Sequence, residues 1–193
     1  MPAEVVVSGW GEPAAMLRDG RADVGLLRAP FDRRGLDLEP LLTEPRLVAL
    51  AVRHPLAVRR RLRLADLTGE PRSRWPGVDD ATAAYWAGRD PESLRAAWPD
   101  RHPPAEPPPG PVVGDVAQQL EVVALGQAVA FLPASLAEQQ PRPDVEYRPV
   151  TDLSPSTVAV AWPETSRSLA VAAFVRAAAE VAEHLQQPQA ALR

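Results

Sequence analysis

Apolar positions along this chain come in short blocks broken by glycine, proline and charge, and two periodicities alternate. Glu4 to Val7 and Asp23 to Leu27 are compact apolar runs of the kind buried strands use. Between them Pro13 to Asp19 reads as a short helix, announced by Gly9, Gly11 and Pro13 and stopped by Gly20. Strand, helix, strand in that order predicts a right-handed crossover with the two strands parallel. Leu38 to Leu42 and Leu47 to Val52 are two further strands, and Pro45 between them favours a break because it lacks an amide proton and restricts its neighbour. A helical turn at Leu64 to Leu67, a strand-like segment at Ser73 to Trp75 and a helix at Asp80 to Ala87 follow.

The second half repeats the alternation. Pro111 to Val113 reads as a strand, Asp115 and Gln118 have capping-box spacing for a helix to Leu125, and Gly126 stops it. Ala128 to Leu132 is a buried strand, Pro133 suits the first turn of a helix to Gln139, and Val145 to Arg148 is another strand, a second βαβαβ pattern. Val158 to Trp162 is the last strand. Ser168 to Gln187 is the strongest helix, with Leu169, Val171, Phe174, Val175, Ala178, Val181, Ala182 and Leu185 on one broad face and Pro188 beyond its end. That face is expected to pack on a sheet. The pattern as a whole is α/β.

Proline changes this picture locally and cysteine globally. There are 23 prolines in 193 residues, against roughly 5% in an average protein, and seven lie between Pro99 and Pro111. That tract cannot be regular structure and reads as an extended loop; a ligand for a proline-recognition module is the weaker alternative. With no cysteine, disulfides, thiolate nucleophiles and cysteine-based metal sites are excluded. The net charge is −4, and every one of the 21 basic residues is arginine. An acidic balance argues against this chain itself gripping nucleic acid, and the N-terminal residues carry neither a signal peptide nor a membrane span, so a soluble, cytoplasmic protein is expected.

Candidate chemistry is sparse. His54, His102 and His184 form no metal-ligand spacing, and no nucleophile elbow surrounds Ser8, so neither a catalytic residue nor a metal or cofactor site is expected. Gly9-x-Gly11-x-x-Ala14, with Asp32 downstream, outlines a dinucleotide-binding turn, but Trp10 crowds it and Asp32 lies beyond Pro30 in a loop. The run Arg59, Arg60, Arg61, Arg63 reads first as a solvated surface and second as an anion patch. Arg28, just past the end of a strand, is the better placed charge for a ligand.

Four stretches taken together resemble one family. LRDGRADVGLLRAPF (17–31), LLTEPRLVALAVRHPLA (41–57), LADLTGEP (64–71) and LEVVALGQAVAFLPASLAE (120–138) look like the effector-binding (substrate-binding) domain of LysR-type transcriptional regulators, in family order. The resemblance implies a two-lobed fold of the type II periplasmic-binding-protein class, each lobe a mixed sheet flanked by helices. Residues 1–44 and 157–193 would form lobe I, and 45–156 lobe II, with a small-molecule effector between them. It also implies ligand contacts from Gly9, Trp10, Arg28, Pro30, Trp75, Pro76 and Phe131, Arg28 pairing with a carboxylate of a small anionic metabolite. For Trp10 and Trp75, core packing is an equal alternative. Met1 stands just before what would be the second strand, so the first strand and helix of lobe I, and the DNA-binding helix-turn-helix, are expected to be missing. The expected partners are an effector, a second copy in a homodimer, and DNA only through that absent domain. Two competing readings remain: a free-standing ligand-binding or dimerisation module, and a small nucleotide-dependent enzyme.

Overall fold

The structure is a computed structural model describing residues 4–9 and 11–186. Its helices are α1 (Pro13–Arg18), α2 (Asp80–Trp86), α3 (Pro91–Ala97), α4 (Val116–Ala124), α5 (Ala134–Gln139) and α6 (Leu169–Gln186). Its strands are β1 (Gly25–Arg28), β2 (Leu36–Glu44), β3 (Arg46–Ala51), β4 (Arg72–Arg74), β5 (Pro109–Val112), β6 (Ala130–Pro133), β7 (Val145–Pro149) and β8 (Ser156–Pro163). Short 3-10 turns cover Pro55–Val58 and Leu64–Leu67. Contacts divide the chain into two compact units, Met1–Thr43 with Thr157–Arg193, and Glu44–Ser156.

In the first unit the sheet order is β1-β8-β2. β1 runs antiparallel to β8, with Leu26 opposite Val160 and Arg28 opposite Val158. Successive side chains of a strand face opposite sides, and β8 uses both. Ala161 joins Ala14 and Leu17 of α1 with Leu27 and Leu36, while Val160 joins Leu41 and Ala182, flanked by Val175 and Ala178 of α6. The sheet is thus sandwiched between two helices. Burying Leu17 alone, 1% exposed, contributes about 1.5–3 kcal/mol.

Three expectations fail here. Residues 4–7 form no strand and their side chains are exposed, Val5 at 84% and Val7 at 91%. Apolar content supplies a face but not a ladder partner, and no described strand pairs with them. The parallel crossover therefore does not form, and β1 takes its antiparallel partner from the far end of the sequence. The apolar face of α6 is also narrower than expected. Val171 and Ala182 are buried and Val175 and Ala178 partly so, but Leu169, Phe174, Val181 and Leu185 face solvent.

In the second unit β3 is central, antiparallel to β6 on one side and β7 on the other, so the expected βαβαβ pattern does not give parallel neighbours there. Alternation again makes two cores. Val48 and Leu50 point into a cluster with Leu62, Leu64, Leu67, Val129, Phe131 and Val150, and Ala49 into one with Leu120 and Val123 of α4. β4 and β5 form a parallel pair tied to the lead-in of β6 by a single bridge, Arg72 to Val129. β5 begins inside the proline tract, at Pro109, a position an edge strand tolerates. Pro133 caps α5 from outside rather than entering its first turn.

Local signals explain most boundaries. Asp115 accepts the Gln118 N–H at 2.8 Å, but the Gln118 amide oxygen reaches back to the Gly114 N–H at 2.8 Å, one residue beyond the ordinary capping box. Gly126 takes φ 70° after α4, the left-handed position that ends helices. α3 has no counterpart in the sequence reading. Asp90 caps it through the Ser93 N–H at 3.0 Å with Pro91 at its first position, a sound start signal on a helix too short to show periodicity.

Candidate functional site

In the first unit, the Gly9 N–H donates to Glu12 Oε2 at 3.0 Å, so the amide that would greet an anion at this turn is already engaged by a carboxylate of the same turn. Trp10 lies outside the described residues. Arg28 ends β1, half-buried, and Pro30 follows it across a cis Ala29-Pro30 bond. Asp32, the acid of the nucleotide-turn alternative, is held by Arg34 at 2.8 Å and Arg18 at 3.3 Å. Hydrogen bonds from Arg34 hold its carboxyl down at about 2. An aspartate committed to two arginines is a poor ribose ligand.

In the second unit Trp75 is half-buried and Pro76 exposed, both in the turn after β4. Phe131 is placed differently. It lies on β6 at 1% exposure within the unit's own core, beneath the guanidinium of Arg72 at 5.0 Å from its ring centroid. Gly88 permits this packing, since a Cβ there would stand 2.7 Å from Phe131 Cε2. The unit thus keeps Trp75 and Pro76 in one turn and Phe131 in a different environment.

Several polar groups were not singled out by sequence. Gln119 is 3% exposed and donates to Ser73 Oγ at 2.9 Å, while its amide oxygen is buried with no protein partner. Glu44 receives the Ser135 N–H at 2.6 Å and the Ser135 hydroxyl at 2.8 Å, fixing the start of α5 to the end of β2.

The most elaborate cluster surrounds Arg46, whose side chain is fully buried. Its Nη2 donates to Asp90 Oδ2 at 2.9 Å and to Ser154 Oγ at 2.6 Å, and its Nε to the Ser154 carbonyl at 2.7 Å. Its Nη1 donates to the Tyr85 carbonyl, and its guanidinium stacks 3.6 Å from the Tyr85 ring centroid. Burial pulls the Arg46 pKa down, opposed chiefly by Tyr85 and Asp90. At Asp90 burial pushes upward, but the hydrogen bonds from Ser93, Arg46 and Ser154 together outweigh it, leaving a lowered pKa. The cluster is saturated internally, which marks it as structural.

Among the described residues, no group of His, Asp and Glu is arranged to hold a metal ion, and no helix is long and apolar enough to cross a membrane.

Comparison with known proteins agrees with this architecture. No curated protein sequence matches the chain. Among solved structures, a variant BenM effector-binding domain superposes with a TM-score of 0.71 at 19% identity, covering 92% of this chain and 79% of that one. The BenM effector-binding domain with its effector benzoate gives 0.63 at 20% identity, covering 96% and 82%. The oxidised form of OxyR gives 0.69 at 22% identity, covering 92% and 78%. Against a full-length OxyR from Pseudomonas aeruginosa the chain spans just over half the length, 56%. These likenesses fix the fold as mixed α/β of the type II effector-domain class. The sequence itself matches the LysR substrate binding domain family over residues 2–183, and the chain belongs to that family.

Proposed function

We propose that this chain is the ligand-sensing part of a LysR-type transcriptional regulator. It binds a small anionic metabolite and acts on transcription in the cytoplasm through a DNA-binding helix-turn-helix part joined to it. The observation that carries the reading is the family match over nearly the whole chain, a family of regulator domains rather than of enzymes. Support for an anion comes from two directions. Arg28 sits at the carboxyl end of β1, where ligands of open α/β sheets bind, and the related BenM domain is described with benzoate, a carboxylate, as its effector. In this reading Arg28 takes the carboxylate, Gly9 and Pro30 border it, and Trp75 and Pro76 provide apolar contact in the second unit. Trp10 and Phe131 complete the set that the family resemblance implies.

Homodimerisation belongs to the same proposal. The outer face of α6 carries Phe174, Val181 and Leu185 at helical spacing and exposed, the kind of stripe that association covers.

The test is calorimetric titration of the chain with a panel of small carboxylic acids and with NAD(P). At least one acid binds, and Arg28→Ala weakens that acid about 5- to 150-fold, the equivalent of about 1–3 kcal/mol for a charged hydrogen bond. Binding of NAD(P) with no response to any acid overturns the reading in favour of a nucleotide enzyme. Unchanged affinity in Arg28→Ala removes Arg28 from the site.

A further inference from the structure

Two arginines are buried in the second unit, and they are treated differently. Arg46 has the Asp90 carboxylate at 2.9 Å. Arg72, at the start of β4 and 6% exposed, has none in ion-pair contact among the described residues. Its Nη1 donates to the Glu70 carbonyl and its Nη2 to the Leu67 carbonyl, each at 2.8 Å, but its Nε is buried with no protein hydrogen-bond partner. Burial pulls its pKa down to about 10, opposed by the Glu70 carboxylate at longer range, so the group is still cationic at neutral pH. The Phe131 ring face at 5.0 Å offers partial compensation only. A buried charge and a buried unpaired N–H each call for a partner.

Arg72 also lines a cavity of about 20 Å³. A second arginine, Arg89, lines the same cavity, and Thr68 brings a hydroxyl. Trp98, Pro104 and Pro107 make apolar wall, and no carboxylate contributes. Arg89 Nη1 donates to the Pro104 carbonyl at 3.1 Å, pinning the proline-rich segment at the rim. The lining thus carries two arginines and no carboxylate, Glu70 acting on Arg72 from outside it. Its volume exceeds the roughly 10–15 Å³ that a water needs by this measure, but not by enough for an extended metabolite.

We propose that this cavity is a binding site for a small monovalent anion, of halide or formate size, held between Arg72 Nε and Arg89. A water would satisfy the Nε–H but leave the charge with only the Glu70 carboxylate acting on it from a distance; an anion satisfies both. The site lies wholly within the second unit and stands independently of the effector reading. By joining β4 to the proline-rich segment, the ion fastens a loop that has little regular structure of its own.

The deciding experiment is diffraction from crystals of the chain grown in sodium bromide, with anomalous data at the bromine edge, alongside thermal unfolding in bromide, formate or gluconate at equal ionic strength and pH. The expected result is an anomalous peak within hydrogen-bonding reach of Arg72 Nε. Bromide or formate at ten times its dissociation constant raises Tm by about 3–5 °C over gluconate, too bulky for the cavity. Arg89→Ala, altered at the rim, removes most of that rise while the circular dichroism spectrum stays native. The absence of a peak in the unsubstituted protein, leaving a water there, overturns the proposal, as does a Tm that rises equally in gluconate.

Discussion

Removing Asp90 tests the physical account of the second unit most directly. Among the described residues the carboxylate is the only one in hydrogen-bonding contact with the Arg46 guanidinium, whose side chain is wholly buried, and it also caps α3 through the Ser93 N–H. Asp90→Ala leaves a buried cation facing the hydroxyls of Ser93 and Ser154 and two carbonyls, a change that costs about 3–5 kcal/mol. Loss of the cap adds about 1 kcal/mol, and because the two effects share one side chain the expected total is about 4–5 kcal/mol. Asp90→Asn retains shape and part of the cap but not the charge, and should fall between. Arg46→Met removes the cation and the cation–π contact with Tyr85, and the double variant Arg46→Met/Asp90→Ala should be less destabilised than the sum of the singles, because neither charge is then left alone. The assay is equilibrium urea unfolding of the unsubstituted protein and the four variants, followed by Trp fluorescence, with m-values checked for constancy.

The same carboxylate gives a pH signature. Its pKa is lowered in the folded state, so its stabilisation is fully present above the unfolded aspartate value of about 3.9. It is lost as pH falls below that value toward the folded one. Unfolding free energy of the unsubstituted protein should therefore fall more steeply below about pH 4 than that of Asp90→Asn. If Asp90→Ala costs less than about 1 kcal/mol, or if single and double effects simply add, Arg46 is satisfied by its carbonyl and serine partners alone and the ion pair is incidental.

Two further expectations concern packing and association. Gly88 and Gly35 share φ 71°, yet a Cβ at Gly88 would meet Phe131 and Leu64 below 3.0 Å while one at Gly35 meets nothing within 4 Å. Gly35→Ala should thus cost only the left-handed penalty of about 1–2 kcal/mol, and Gly88→Ala about 3 kcal/mol with overpacking added; equal losses in urea unfolding would refute the tight contact. Val181→Glu with Leu185→Glu on the exposed stripe of α6 should convert a dimer to monomers by light scattering, with Tm lowered by no more than association contributes at that concentration, and an unchanged mass would place any dimer interface elsewhere.

What the sequence disclosed was local. Pro45 marks the break between β2 and β3, Leu64–Leu67 makes its 3-10 turn, and Asp115 and Gly126 bracket α4, because each of these signals acts on its own backbone neighbours. Sheet pairing is not local. Val5 to Val7 are as apolar as β1, but a strand exists only where a second backbone offers its amides, and β1 finds them in β8, more than a hundred residues away. Arg28 could be singled out from its place just past a strand, and Pro30 and Phe131 came from the family resemblance; that Phe131 is 1% exposed depends on neighbours remote in sequence.

The buried arginines show the same division at the level of single side chains. With lysine absent, all 21 cations are written with one letter, so nothing in composition separates a surface arginine from Arg46 or Arg72. Alternation gives a partial clue, since Arg46 opens a strand whose following residues are almost all buried. The decisive partners are remote: Ser154 lies 108 residues from Arg46, and Asp90 lies 44 away on a helix the periodicity did not reveal. For Arg72 the described residues supply carbonyls, a ring face and the Glu70 carboxylate only at a distance. A guanidinium suits that position, because its planar fork can spend two N–H groups on backbone carbonyls and still keep a third, which the compact ammonium of lysine does with less geometric definition. Arg72, with no carboxylate in ion-pair contact among the described residues, is therefore the buried arginine on which an anion would act, whereas Arg46 already has Asp90 at 2.9 Å.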